Sequence, residues 1–181
     1  MVKNGQDPIR EVTFAAPAGA PTGVEVLTLA QLRERSGHSR ILAAPQRPTF
    51  HHLISLRTGL LWHTVDFTGY ALEPGSWLWV RPGQVQQWHD LRQAEGVLIL
   101  FEPDFLDADT VADTDPYAPA LRTAVGEEQH ALRLAEQHLA YEFRQSLGAA
   151  SSVQVAVLRH LLAALVLRLG HPSHPGGQPG R

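Results

Sequence analysis

The chain has no cysteine, which excludes disulfides, thiolate metal sites and cysteine nucleophiles. Only one of its 15 basic residues is a lysine, Lys3, and the formal net charge is −3. A free-standing nucleic-acid binder draws most of its affinity from cationic contacts to phosphate, and the sequence has no basic cluster of that kind. Long apolar runs are scarce. The richest, residues 161–167, follows directly on Arg159 and His160, and no stretch is expected to supply the roughly 18 apolar residues of a membrane span. Residues 1–10 hold no apolar leader segment. The expectation is a cytoplasmic protein with no membrane partner. A nucleophile elbow, a phosphate-cradling glycine loop and a dinucleotide fingerprint are also missing, so no catalytic residues are assigned. A chain of this size buries about two thirds of its unfolded surface and needs no staples to fold.

Against these absences, the chain divides into distinct stretches. Residues 1–23 form a Gly/Pro/Ala-rich arm in which only Val12–Thr13–Phe14 is suited to dock. Residues 24–105 are expected to form the β domain, opening with a short strand and a short helix that puts Leu29 and Leu32 on one face. An acidic loop spans 106–122, a pair of helices 123–170, and a Pro/Gly-rich linker 171–181. The aspartates 107, 109, 113 and 115 mimic a calcium loop only superficially, because Val111 and Ala112 stand where a ligand and a glycine are needed.

Residues 49–57 alternate, placing Phe50, His52, Ile54 and Leu56 on one face. A two-residue turn at Thr58–Gly59 would make a hairpin with Leu56 opposite Leu61, Ile54 opposite His63 and His52 opposite Val65. Glu73–Pro74–Gly75 and Pro82–Gly83 supply further turns, and residues 96–101 form an apolar strand. Short strands punctuated about every ten residues indicate a β-sandwich or barrel. In the first helix, Leu132, Leu134, Ala135, Leu139 and Phe143 are spaced for one broad apolar face. The second, capped by Ser151 or Ser152, is apolar nearly all round, so part of it is expected to meet a second subunit through Val157, Leu158, Leu161, Leu162 and Leu165.

The runs RPTFHHLISLRTGLLWHTVDF, ALEPGSWLWVRPGQVQQW and GVLILFEPDFL resemble the N-terminal cupin domain of AraC-type bacterial transcription regulators. The resemblance covers most of residues 24–170 and implies a mainly β chain: a closed double-stranded β-helix (jelly-roll) barrel followed by two antiparallel helices. It further implies a small effector inside the barrel, sugar-like ligands included, and a homodimer built by the helices. DNA would be bound only through a C-terminal helix-turn-helix domain beyond residues 171–181, with the arm, through Phe14, contacting the pocket. The pocket residues it implies are Gln46, His52, Ile54, His63, Gln86, Trp88 and Leu98, while Trp77 and Trp79 pack under the helices. Ten histidines raise the question of a metal. The positions matching a metal-binding cupin are Gln46, Pro48, His52 and Gln86, of which only His52 is a good ligand. No metal or cofactor is therefore expected, and a metal-dependent cupin enzyme or a stand-alone sugar-binding cupin is the alternative.

Overall fold

The computed structural model describes residues 9–37, 43–112, 114 and 118–171. Its strands are β1 (Arg10–Val12), β2 (Val24–Thr28), β3 (Gln46–Pro48), β4 (His51–Thr58), β5 (Leu61–Val65), β6 (Thr68–Leu72), β7 (Ser76–Val80), β8 (Gln86–Trp88), β9 (Glu95–Phe101) and β10 (Leu121–Thr123). Its helices are α1 (Leu29–Ser36), α2 (Ala108–Ala112), α3 (Gly126–Gln145) and α4 (Ser152–Gly170). The acidic stretch thus contains α2 and ends in β10; Asp113, Asp115 and residues 172–181 of the expected linker lie outside the described residues.

The strands form two five-stranded sheets, in the orders β1-β3-β8-β5-β6 and β10-β7-β4-β9-β2. The first is mixed, because β1 runs parallel to β3; the pairings of the second are antiparallel. These sheets are not closed into a barrel, which corrects the expected cupin jelly-roll. The reason lies in the strand edges. Strand β6 ends the first sheet and leads through Glu73–Pro74–Gly75 to β7, but β7 already has β10 on one edge and β4 on the other. No ladder can therefore join β6 to β7.

The expected hairpin is corrected for the same reason. Strands β4 and β5 are consecutive but belong to different sheets. At the crossing, Gly59 has φ +85°, and a Cβ there would lie 1.8 Å from the Gln93 carbonyl oxygen. Only glycine accommodates both the left-handed conformation and the close backbone approach. Ile54, Leu56, Leu61 and Val65 still share one core, but they meet face to face across the sandwich.

The second sheet is buried on both sides. One face packs Ile54, Leu78, Val80 and Leu98 toward the first sheet. The other packs Leu53, Trp77, Trp79, Val97, Ile99 and Phe101 under Leu132, Leu139 and Phe143 of α3 and Leu158, Leu162 and Leu165 of α4. This makes three layers, sheet on sheet on helices. It also explains why β7 and β9 are nearly continuous apolar runs, as strands covered on both faces are. Ser151 and Gln154 form a capping box on α4, whose other end is held by Arg122, donating to the Arg168 and Leu169 carbonyls at 2.5 and 2.8 Å. By length and composition alone α4 would suffice to cross a membrane, contrary to the reading of its sequence; in the fold it packs along α3 and the second sheet.

Candidate functional site

Three polar side chains meet in the core between the sheets. His63 of β5 and Gln86 of β8 belong to the first sheet, where Gln86 stands opposite Val65 and His63 opposite Trp88. His52 of β4 belongs to the second, opposite Val80 and Leu100. The Gln86 amide bridges the two imidazoles, with its Oε1 3.1 Å from His63 Nε2 and its Nε2 3.0 Å from His52 Nε2. The relay therefore crosses from sheet to sheet through the core.

This geometry sets the tautomers. An amide oxygen accepts, so His63 carries its proton on Nε2 and leaves Nδ1 as a bare acceptor. An amide nitrogen donates, so His52 Nε2 is bare and its proton sits on Nδ1. Turning the amide over exchanges the two roles, so in either orientation one Nδ1 is a donor and the other an acceptor. Both Nδ1 atoms are buried and neither meets a partner at good hydrogen-bond geometry; that of His52 has the Phe50 backbone nearby, which favours a proton there.

Burial keeps both rings neutral. Desolvation, with the neighbouring His63 ring second, pushes His52 down to about 3. Desolvation likewise pushes His63 down to about 3, against a smaller opposing effect of the Gln86 hydrogen bond. His51 points to the other face of the same strand, stacked on Phe101 with ring centroids 4.5 Å apart. It accepts from Trp79 Nε1 at 3.1 Å and is lowered to about 4 by burial and by Arg81.

Aromatic rings surround the relay. Trp88 meets His63 edge-on at 4.5 Å, and Phe50 stacks on His52 at 4.7 Å. Phe14 of the arm meets Phe50 edge-on at 5.5 Å. The arm is held there by the β1–β3 pairing and by the Thr49 amide donating to the Val12 carbonyl at 2.9 Å. A chain of rings thus runs from the arm to His52.

All seven residues expected at a pocket are buried: Gln46, His52, Ile54, His63, Gln86, Trp88 and Leu98. Ile54, Trp88 and Leu98 form apolar walls around the relay, and Gln46 pairs with Gln86 in register. Phe50 was the omission, although alternation had already put it on the His52 face. Two cavities lie elsewhere among the described residues. One of about 330 Å³ is lined by β2, α1, the arm and α3, and one of about 190 Å³ by His51, Trp79, Arg81 and residues of the α2 segment.

The residues expected at a subunit interface divide in two. Leu158, Leu162 and Leu165 have no exposed surface and pack in the chain's own core. A second subunit can bury nothing more of them, which corrects that part of the expectation. Val157 and Leu161 are half-buried.

No family model matches the chain, and no curated protein matches it significantly. Among solved structures there is a weak, partial similarity to the AraC-like transcriptional activator CuxR. The identity is 14% over 65% of this chain and 42% of that one, with a TM-score of 0.41. The EutQ protein of Clostridium difficile matches at 13% identity over 34% of this chain and 44% of that one, with a TM-score of 0.30. The ribosomal oxygenase YcfD of Escherichia coli matches at 22% identity over 54% of this chain and 34% of that one, with a TM-score of 0.31. The chain thus spans less than half the length of each of these proteins.

Proposed function

We propose that this chain is the effector-binding and dimerising part of a cytoplasmic transcription regulator of the AraC type, a binding protein and not an enzyme. The DNA-reading part would lie beyond it. The sequence resemblance of residues 47–105 and the helices after them motivates the regulator. The observation that carries the binding site is the pair of buried Nδ1 atoms on His52 and His63, neither of which has a partner at good hydrogen-bond geometry. Each unpaired buried polar group costs about 1–3 kcal/mol, and such groups in a native core call for an explanation. A ligand hydroxyl group both donates and accepts, so a small polyol or sugar-like effector satisfies the donor Nδ1 and the acceptor Nδ1 together, while the surrounding rings cover its apolar faces.

Entry follows the ring chain. Lifting Phe14 uncovers Phe50, and Phe50 covers His52. An effector that reorients Phe50 therefore binds the docked and lifted states of the arm with different affinity, which is what a signal requires.

The test is thermal melting and calorimetric titration against a panel of monosaccharides and small polyols, with the Gln86→Leu variant alongside. A ligand at 100 times its Kd adds about 2.7 kcal/mol, or about 5–10 °C in Tm for a chain of this size. The expected result is such a shift with at least one compound, lost in Gln86→Leu. No shift with any compound, or a shift that survives Gln86→Leu, removes the site. The regulatory half is tested by the coding sequence past Arg181: two helix-turn-helix patterns in frame are expected, and a stop codon there overturns it.

A further inference from the structure

The cavity of about 330 Å³ on the helix side of the second sheet is independent of the His52 relay. Its volume falls at the lower end of the range of small-molecule sites, about 300–1,000 Å³. Part of its wall is apolar: Val26, Val97, Phe143 and Leu147. The rest is charged, with Glu25, Arg35, Arg57 and Arg144.

The charges do not cancel. Arg35 is paired with the buried carboxylate of Glu25, and Arg57 with that of Glu136. The guanidinium of Arg144 has no partner among the described residues. One positive charge is left over beside an apolar wall.

We infer that this cavity is a second binding site and that it takes a monocarboxylate carried on a compact apolar body, such as an aryl carboxylate. One negative charge balances the one unpaired cation. The planar fork of a guanidinium matches a carboxylate in two parallel hydrogen bonds. A doubly charged group fits less well, because Glu25 lines the same cavity and repels the second charge. The apolar wall takes the ring. Pro17 and Ala18 of the arm close one side, next to Gly19, whose carbonyl accepts from the Gly148 amide at 2.7 Å. An occupant therefore touches the arm and α3 at once, and would pin one to the other.

Calorimetric titration of the full chain with benzoate, benzamide and phenyl phosphate tests this. Benzoate is expected to bind saturably in the millimolar range or tighter, benzamide at least tenfold more weakly, and phenyl phosphate more weakly than benzoate. Arg144→Gln removes an exposed side chain, so it should keep the wild-type circular dichroism spectrum and lose about tenfold in benzoate affinity. Arg92→Gln, at an exposed residue paired with Asp90 and absent from the lining, should leave benzoate affinity unchanged. Equal binding of benzamide, no effect of Arg144→Gln, or no saturable benzoate binding overturns the site. Tighter binding of phenyl phosphate than of benzoate overturns the carboxylate assignment.

Discussion

Three buried histidines make stability depend on acid. His51, His52 and His63 sit at about 4, 3 and 3 in the fold, against 6.5 for an unburied ring. Between those values the unfolded chain holds protons that the folded chain refuses, so stability rises with pH across that window. The contribution is complete above pH 6.5 and is lost progressively as pH falls toward 3–4. Each ring contributes roughly 1.4 kcal/mol per pH unit inside the window. Urea unfolding at pH 7 and pH 5 should therefore show a loss of several kcal/mol, and His51→Phe should reduce the slope by about one proton. A stability that stays flat from pH 7 to pH 5 would mean that these rings are hydrated in the fold. At this scale the sequence was informative. A strand repeats every two residues, so His52, His63 and their apolar neighbours were legible as inward-facing from alternation alone. The Gln86 bridge was not, because it joins side chains from two sheets, and no local pattern encodes that contact.

Among elements, the contact of α3 with β4 rests on a polar pair inside an apolar interface. Glu136 is 2% exposed, and Arg57 Nε donates to its Oε1 at 3.0 Å. The two partners are not equivalent, because the side chain of Arg57 is 42% exposed and can rehydrate alone while that of Glu136, 2% exposed, cannot. Arg57→Ala strands a buried carboxylate and should cost about 3–5 kcal/mol. Glu136→Gln removes the buried charge and should cost much less. Leucine at Glu136 together with methionine at Arg57 should recover most of the loss. Equal costs for the two single variants, read from urea midpoints, would show that the carboxylate is solvated. Nothing in the helix pattern announced this pair: Glu136 neighbours Ala135 on the apolar face, and its partner lies in a distant strand. The end of α3 and the span of α4 are legible from apolar spacing and from the Ser151 cap, and β7 and β9 from their unbroken apolar runs, whereas Thr123, expected to open the first helix, lies in β10 and α3 begins at Gly126. The β4–β5 relation is not legible in the sequence, because Gly59 there reads as the centre of a tight turn, whereas its absent side chain admits the Gln93 backbone.

The whole molecule is where sequence reasoning fell furthest short. Closure into a barrel depends on which strand edges remain free, and edges are a property of the assembled sheets. What the assembled layers leave over is one side of α4. Its inner residues are spent on the core. Val153, Val157, Leu161 and Ala164 recur at helical spacing; Val153 is 69% exposed, Ala164 is exposed, and Val157 and Leu161 are half-buried. The proposed homodimer would bury this stripe against the matching stripe of a second copy across a two-fold axis. Sedimentation equilibrium at tens of micromolar should find the wild type dimeric. Val153→Lys with Val157→Lys places two charges in the stripe and touches none of the fully buried leucines, so the dissociation constant should rise at least tenfold while the monomer stays folded. A wild type that remains monomeric at that concentration ends the dimer reading. A variant that still associates as tightly moves the interface off this face, because four desolvated ammonium groups, two from each copy, cannot be accommodated in an apolar contact without cost.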